Sequence, residues 1–448
     1  MLPIMLPSRH DNNTRCRNST ARNAAADHGK GASAARSVDD MTEQNFYQYL
    51  IVGGGMVADS AARGIREVDP DGTIGIVAEE QTPPVARPAL SKKLWTDSSF
   101  SFDDVWLNTE DDTGAVRHAG DRAVAVDRDA RTVRTQSGMV LGYDRLLLAT
   151  GGAPATLGLP EDDPLIFFRS LDDYERLRRY SGDQRHVVVV GGSFIGSELA
   201  AALVENDTAV TLVFPDDVLF GGVFPPDLAR YFQSRYEDAG VTVMPGVSVE
   251  SGEVQGNGHV VLTLSDGTSL ECDAVAVGAG VSPNNEIASV AGLSVDDGVL
   301  VDELLRTSDP RIFAAGDVAS YPDAILGRRR IEHVDNATTM GRQAGRNLAG
   351  AEEPYTHTPY FYSVAFGDRY EAVGTLDASL EVVEMWDGDR GVVYYVDGRD
   401  VVGVLLWNIN GRRDDAREAI DNADGSDHAA LRSRIPTEDG DAEQDDKN

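Results

Sequence analysis

Cysteine is almost absent from this 448-residue chain, which contains only Cys16 and Cys272, far apart in the sequence. Two distant cysteines form neither a disulfide framework nor a C-x-x-C redox pair or zinc site. No segment approaches the ~18 consecutive apolar residues that a transmembrane helix needs. The sequence therefore predicts no metal site and no membrane insertion, and its few cysteines favour a reducing, cytoplasmic location.

Positive charge is also scarce, because 40 Lys and Arg residues stand against 74 Asp and Glu, a formal net charge of −34. This charge repels phosphate backbones, so we expect no binding to nucleic acid. Only Lys30, Lys92, Lys93 and Lys447 are lysines. Acidic excess with little lysine indicates a halophilic proteome, in which molar salt screens the repulsion between carboxylates. The alternative is an ordinary acidic protein.

The two ends differ from the rest of the chain. Residues 1–45 carry scattered charges among Asn, Ser, Ala and Gly without periodicity, which predicts a disordered extension that cannot bury enough apolar surface to fold. Residues 436–448 read as a solvated acidic tail. The length between them suggests two to four domains.

One supersecondary pattern occurs twice, and its first copy follows a strand at the start of the body. The strand runs into Gly53 and Gly55, and a helix then leads to a second strand that ends at Glu79. Gly53 permits a tight turn, Gly55 lets a pyrophosphate approach the backbone, and Ala58 allows close helix packing. Glu79 is placed to accept hydrogen bonds from ribose hydroxyls. The pattern predicts a dinucleotide site.

The second copy, HVVVVGGSFIG, supplies Gly191, Gly192 and Gly196, with Ser193 where the strict fingerprint has its second glycine. Its following strand ends beside Asp216, and no Arg or Lys lies near it. A carboxylate there favours a free ribose 2′-hydroxyl and repels a 2′-phosphate, so the pattern predicts NAD over NADP.

Two dinucleotide folds in one chain suggest a flavin and a nicotinamide, the pair most useful together. Apolar strands ending in small-residue turns support this: Thr150 and Gly151 follow one, and Gly278 follows another. In TSDPRIFAAGDVA, Gly316 precedes Asp317, whose carboxylate is placed to bind a ribitol hydroxyl. Each turn is also compatible with an ordinary strand end.

Longer strings add a resemblance: RPALSKKLW, GGSFIGSELA, LGRRRIEHVDNA with GRQAG, RYEAVG and VVGVLLWN. From Tyr49 to Ile420 the chain resembles the FAD-dependent pyridine nucleotide oxidoreductases of glutathione-reductase fold, and within them the apoptosis-inducing-factor subfamily. The last two strings follow the nucleotide domains, which separates this subfamily from generic ferredoxin reductases.

The resemblance, together with the turns above, assigns site residues. It implies that His333, beside Glu332, lies near the flavin at a helix start, and that Lys92 and Glu198 form an ion pair at the reactive flavin edge. The candidate catalytic residues are Lys92, Phe194, Glu198 and His333. The candidate FAD-binding residues are Gly53, Gly55, Ala58, Glu79, Arg87, Lys92, Thr150, Gly151, Gly316, Asp317, Glu332 and His333. The candidate NAD-binding residues are Gly191, Gly192, Phe194, Gly196, Glu198, Asp216 and Gly278.

Departures from the family limit what the resemblance implies. Dithiol reductases of this fold carry C-x4-C near the position of RPALSKKLW, where this chain has no cysteine. Tyr362 replaces a tryptophan, Gly222 replaces a lysine of the dinucleotide site, and a long C-terminal insertion is missing. We therefore expect hydride transfer from NADH to FAD and then to an external acceptor, such as an iron-sulfur protein, a quinone or oxygen, and carry over no cell-death role.

The expected fold class is α/β, with two Rossmann-like dinucleotide-binding domains, one inserted in the other, plus a C-terminal α+β domain. The FAD-binding domain spans 46–162 and 281–350, the NAD-binding domain 163–280 and the C-terminal domain 351–435. The last domain is expected to cover the flavin or to form a homodimer face.

Three functions remain open at this level. The first is a general NADH oxidoreductase, and the second is the reductase component of an oxygenase system that feeds a ferredoxin or rubredoxin. The third is a non-enzymatic module in which NADH switches conformation. The sequence does not identify the acceptor.

Overall fold

The computed structural model describes residues 45–440, in which parallel sheets and helices build an α/β fold of the predicted class. The predicted extension up to residue 44 and the tail from 441 onward lie outside the described residues. Between residues 45 and 440, no helix combines the length and apolarity needed to cross a bilayer.

The first sheet is built by the N-terminal third of the described chain. Its order is β3-β2-β1-β6-β5-β4, with β1, β2, β3 and β6 parallel and β4 and β5 antiparallel. The elements are β1 (Phe46–Val52), α1 (Met56–Val68), β2 (Ile74–Ala78), α2 (Lys93–Thr96), α3 (Thr109–Thr113), β3 (Val116–Ala119), β4 (Ala123–Asp127), β5 (Thr132–Thr135), β6 (Val140–Leu148) and β7 (Gly152–Pro154). From Tyr49 to Val52 the apolar residues of β1 are all buried, as expected for a parallel strand in the interior of a sheet.

A second parallel sheet follows, in the order β11-β10-β9-β15-β8. Beside it, β12, β13 and β14 form a separate antiparallel sheet. The elements are β8 (Leu165–Phe167), α4 (Leu171–Arg178), β9 (His186–Val190), α5 (Phe194–Val204), β10 (Ala209–Val213), α6 (Pro226–Asp238), β11 (Thr242–Met244), β12 (Val249–Val254), β13 (Val260–Leu264), β14 (Ser269–Cys272) and β15 (Ala274–Val277).

The chain then returns to the first sheet. β16 pairs with β7, and β19 joins the first sheet as a parallel neighbour of β6. The elements are β16 (Val281–Pro283), α7 (Glu286–Val290), β17 (Val295–Asp296), β18 (Gly298–Leu300), β19 (Ile312–Ala314), β20 (Ala319–Asp323), β21 (Gly327–Arg329) and α8 (Val334–Leu348). This path has the order expected for an inserted domain, whereas the domain boundaries stay a prediction.

The C-terminal part forms an antiparallel sheet in the order β22-β23-β26-β25-β24. The elements are β22 (Tyr360–Ala365), β23 (Asp368–Gly374), β24 (Glu381–Asp387), β25 (Arg390–Asp397), β26 (Asp400–Trp407), α9 (Arg413–Asn422) and α10 (His428–Leu431). The predicted start of the acidic tail at residue 436 stays a prediction, and residues 436–440 are described. Asp439 accepts hydrogen bonds from the Asn410 backbone and from Arg390, which hold this segment against the rest of the chain.

Helices α1 and α8 cross at glycines, and this crossing fixes the position of each helix against the other. A Cβ added to Gly345 would lie 2.0 Å from the carbonyl oxygen of Ala61, and one added to Gly64 would lie 2.1 Å from that of Arg342. The backbones therefore approach more closely than any side chain permits.

We expect Gly345→Ala to destabilise the protein, although Ala in a helix is normally more favourable than Gly. Overpacking against the α1 backbone typically costs about 1–3 kcal/mol, which outweighs the gain of about 1 kcal/mol in helix propensity. Thermal unfolding of both proteins at one salt concentration measures the effect. Gly256→Ala is the matched control, since a Cβ at Gly256 meets nothing within 4 Å. Equal melting of Gly345→Ala and wild type would contradict the close crossing.

Candidate active site

A cavity of about 1120 Å³ lies where the carboxyl ends of the two parallel sheets meet β22 and the start of α8. This volume exceeds the ~300–1,000 Å³ typical of small-molecule pockets and suits a larger ligand. Among the predicted residues that line it are Gly53, Gly55, Glu79, Arg87, Lys92, Thr150, Gly151, Phe194, Glu198, Gly278, Asp317, Glu332 and His333. Ala58, Gly191, Gly192, Gly196, Asp216 and Gly316 are not among its lining residues.

The first glycine turn shapes one wall of the cavity. Gly53 has φ of +123°, and a Cβ there would lie 2.0 Å from the carbonyl oxygen of Ala149. Gly55 caps α1 without a side chain, so the helix N-terminus opens towards the cavity. Ala58 is fully buried in the first turns of α1, as close helix packing requires. Glu79 follows β2 and lies 3.9 Å from Arg122.

Paired charges surround Asp317. One of its carboxylate oxygens lies 2.6 Å from Nη2 of Arg169, and the Arg169 carbonyl accepts a hydrogen bond from Arg87. Arg87 also pairs with Glu80. Gly316, just before Asp317, has φ of +75°. The predicted ribitol-binding carboxylate is therefore held by an arginine that the sequence analysis did not find.

The turn after β6 contacts the returning chain. Thr150 donates from Oγ1 to the carbonyl oxygen of Asn284 at 2.7 Å, and Asn284 donates back from its amide to the Thr150 carbonyl at 2.9 Å. Gly151 has φ of +62°, which a glycine adopts without strain. These bonds connect the chain just after β6 to the chain just after β16, beside the cavity.

The second glycine turn repeats the geometry of the first. Gly191 has φ of +125°, and a Cβ there would lie 2.3 Å from the carbonyl oxygen of Gly278. A Cβ at Gly196 would lie 1.9 Å from the Gly191 carbonyl. Ser193 has φ of −124°, so a side chain is tolerated where the fingerprint has glycine. Asp216 is exposed beyond β10.

Lys92 and Glu198 form the ion pair that the resemblance implies, with 2.7 Å between Nζ and Oε1. The Glu198 side chain is 4% exposed and the Lys92 side chain 19%. Two serines that the sequence analysis missed also donate to this carboxylate, Ser91 at 2.6 Å and Ser363 at 2.7 Å. The Lys92 ammonium lies 5.7 Å from the centre of the Tyr362 ring, the residue that replaces tryptophan.

His333 lies at the N-cap of α8, at a helix start as expected. Its ring stacks on Phe361 with 4.5 Å between centroids, and Phe194 meets Phe361 edge-on at 5.1 Å. Burial lowers the pKa of His333 to about 4, although the charges of Asp317 and Asp335 oppose this shift. The imidazole is therefore neutral at pH 7. Phe361 was also missed by the sequence analysis.

Glu332, the neighbour of His333, pairs with Arg330, and Arg330 also donates to the Asp317 carbonyl at 3.1 Å. These bonds tie the segment before α8 to the turn that carries Asp317. In residues 45–440, no cluster of three or more His, Cys, Asp and Glu side chains is arranged to hold a metal ion.

Comparison with known proteins gives consistent matches. The family model for pyridine nucleotide-disulphide oxidoreductases matches residues 47–341. The mitochondrial apoptosis-inducing factor 1 of Dictyostelium discoideum is 31% identical over 429 residues, which cover 86% of this chain and 80% of that protein. A Drosophila melanogaster relative with a similar name is 30% identical over 83% of this chain, and this match spans only 63% of the relative's length.

A solved structure matches as well. The ferredoxin reductase of a cytochrome P450 system from Rhodopseudomonas palustris superposes with a TM-score of 0.74 at 32% identity. The match covers 81% of this chain and 91% of that one.

The low pKa of His333 predicts a pH-dependent loss of stability. An unfolded histidine binds its proton near pH 6.5 and the folded one near pH 4, so the unfolded state holds more protons between these values. The stability contributed by neutral His333 is complete above about pH 6.5 and is lost as the pH falls towards 4. One pKa unit is 1.36 kcal/mol, so the difference between pKa 6.5 and pKa 4 corresponds to at most about 3.4 kcal/mol.

We therefore expect His333→Gln to lose less unfolding free energy than wild type between pH 7 and pH 4, as measured by chemical denaturation at constant salt. Replacement of the half-buried His259, which lies outside the cavity, by Gln serves as the control and should keep the wild-type slope. Identical slopes for His333→Gln and wild type would show that the buried imidazole does not titrate as described.

Proposed function

The chain belongs to the pyridine nucleotide-disulphide oxidoreductase family, and from this we infer that it is an FAD-dependent NADH oxidoreductase that delivers electrons to an external acceptor. The observation that carries this proposal is the Lys92–Glu198 pair at 2.7 Å, which lines one cavity together with the first glycine turn and the start of α5. A paired lysine in that place supplies a positive charge where a flavin gains negative charge on reduction.

The residues fit a dinucleotide such as FAD. The uncapped N-terminus of α1 presents backbone N–H groups, which bind a pyrophosphate well. At Gly55 a Cβ would meet only the Arg87 side chain, at 3.7 Å, so the backbone stays open to a phosphate from the cavity. Val290, which is 79% exposed, and Val124, at 38%, line the cavity and offer apolar surface for an aromatic ring.

When bound, FAD takes up a hydride from a reduced nicotinamide and passes its electrons on. The chain's own residues supply position and charge. Lys92 directs an ammonium into a partly dry cavity, and Glu198 holds it in place. Neutral His333 adds a polar group without adding charge. The rings of Phe194 and Phe361 pack beside it and exclude water.

An external acceptor is supported by the cysteine content of the described residues. Their single cysteine, Cys272, is buried at the end of β14, and burial raises its thiol pKa to about 12. A thiol in this state is a poor nucleophile, and no second thiol accompanies it between residues 45 and 440. We propose that electrons leave without a dithiol relay. The high-salt environment and the cytoplasmic location stay predictions.

The second candidate function is that of a reductase component whose acceptor is a ferredoxin-type protein. It is favoured because the match to the reductase from Rhodopseudomonas palustris covers 91% of that chain. The test is anaerobic reduction of the purified, flavin-loaded protein by NADH at molar salt, followed by turnover with a ferredoxin, a rubredoxin, a quinone and oxygen. A colourless protein that FAD does not reconstitute would overturn the proposal. Fast reduction with very slow turnover on every acceptor would favour the NADH-sensing module instead.

Asp216 predicts a preference for NADH. It follows β10, and no Lys or Arg occurs between Val213 and Asp227 to neutralise a 2′-phosphate. We expect kcat/KM to be at least about tenfold higher with NADH than with NADPH, or about 1.4 kcal/mol. Asp216→Ala should narrow this ratio, whereas Asp217→Ala, the neighbouring exposed carboxylate, should not. Equal use of both nucleotides by wild type would show that Asp216 does not face the ribose.

Lys92→Ala should retain FAD but slow its reduction by NADH. A lost ammonium removes stabilisation of the negative charge gained on reduction, and about tenfold corresponds to about 1.4 kcal/mol. Stopped-flow bleaching under anaerobic conditions measures the rate, and dye equilibration measures the midpoint potential, which should become more negative. Lys93→Ala is the matched control, because Lys93 is exposed and lies over Phe100. An unchanged rate and potential in Lys92→Ala would remove Lys92 from the site.

A further inference from the structure

The Glu198 carboxylate is held by donors from separate parts of the chain. Ser91 Oγ donates to Oε2 at 2.6 Å, and Ser363 Oγ donates to Oε1 at 2.7 Å. Lys92 Nζ lies 2.7 Å from the same Oε1. Glu198 itself belongs to α5, which lies between β9 and β10 in the chain. Ser91 follows the 3-10 helix Arg87–Leu90, and Ser363 lies in β22.

Because the site is buried, water cannot replace these two hydroxyl groups as hydrogen-bond donors to Glu198. Ser91 and Ser363 are each 3% exposed, and Glu198 is 5% exposed. Water is therefore largely excluded from the carboxylate, and a buried charge without donors is costly. With both serines in place, each carboxylate oxygen has a hydroxyl donor and one of them also faces the ammonium.

We propose that Ser91 and Ser363 are positioning residues that act through Glu198 on the charge that Lys92 presents to the cavity. The proposal rests on the proposed function, since it concerns the same reduction by NADH. Neither serine lies in either glycine fingerprint. Ser363 is not among the residues that line the cavity and acts on it through the carboxylate, whereas Ser91 both lines the cavity and contacts the carboxylate.

The serine hydroxyls increase the positive potential that Lys92 produces in the cavity. A hydroxyl hydrogen that points at Glu198 offsets part of the carboxylate's negative charge in a medium of low dielectric constant. The field of Lys92 in the cavity is then less cancelled by its own partner. Without the hydroxyls, Glu198 draws more strongly on Lys92, so less positive charge serves a cofactor that becomes anionic on reduction.

The experiment compares Ser91→Ala, Ser363→Ala and the double variant, each loaded with FAD, with wild type and Lys92→Ala. Each single variant loses one charge-assisted hydrogen bond to Glu198, so we expect it to be reduced by NADH more slowly than wild type, by up to the roughly tenfold expected for Lys92→Ala, through which the serines act. The midpoint potential should become more negative in both single variants. Ser363→Thr, which keeps the hydroxyl in a strand, should restore both readouts towards wild type.

The matched control is Ser320→Ala, because Ser320 is similarly buried, at 5%, but lies in β20 and, unlike Ser91 and Ser363, donates no hydrogen bond to Glu198. It should leave the rate and the potential unchanged. If the serines only stabilised the fold, their variants would melt earlier but keep the wild-type potential, and that result would overturn the proposal. A variant that fails to fold is replaced by its Ser→Cys counterpart, which keeps a weak donor and should lie between Ala and wild type.

Failure of this inference is distinguishable from failure of the proposed function. If wild type is reduced by NADH and Lys92→Ala is slow, while both serine variants match wild type, the positioning role is wrong and the enzyme assignment stands. If wild type itself is not reduced by NADH, the proposed function has failed.

Discussion

The arrangement of the site depends on one buried carboxylate. Glu198 lies near the start of α5, yet its donors come from the segment after the first fingerprint and from the C-terminal sheet. Both oxygens of a buried carboxylate need hydrogen-bond donors. If one of the three segments shifted by itself, Glu198 would lose a donor and its charge would be left partly unpaired. This requirement holds α5, the segment after the 3-10 helix Arg87–Leu90 and β22 together beside the cavity.

Other charged side chains that line the cavity also form ion pairs. Asp317 faces Arg169, Glu332 faces Arg330, and Lys92 faces Glu198. Such pairs contribute little to stability once desolvation is counted. These pairs instead fix the orientation of the charged side chains. In an acidic chain of net charge −34, a positive group keeps a defined place in the cavity when the carboxylates around it are held in place.

Much of this arrangement is readable in the sequence, and the part that is not has a physical reason. The two glycine turns are local, so spacing alone predicts Gly53 and Gly191 with their strands and helices. Lys92 and Glu198 came from a resemblance, and the structure contains their ion pair. Ser91, Ser363 and Arg169 were missed because a buried donor has no periodic signal and is defined only by its distant partner. Ser91 stands inside the RPALSKKLW string, next to Lys92, which was the one available hint.

The pairing of β19 with β6 has a consequence for how the chain acquires its structure during synthesis. β6 ends at Leu148, and its parallel neighbour begins at Ile312, so the first sheet lacks a strand until the whole second sheet has left the ribosome. The second sheet needs only strands from β8 to β15 and is complete earlier. Long-range pairings are slow because loop closure comes before any contact is gained. The second sheet is therefore expected to form before the first sheet, whose strands lie on both sides of it in the sequence, the reverse of the usual N-terminal-first order.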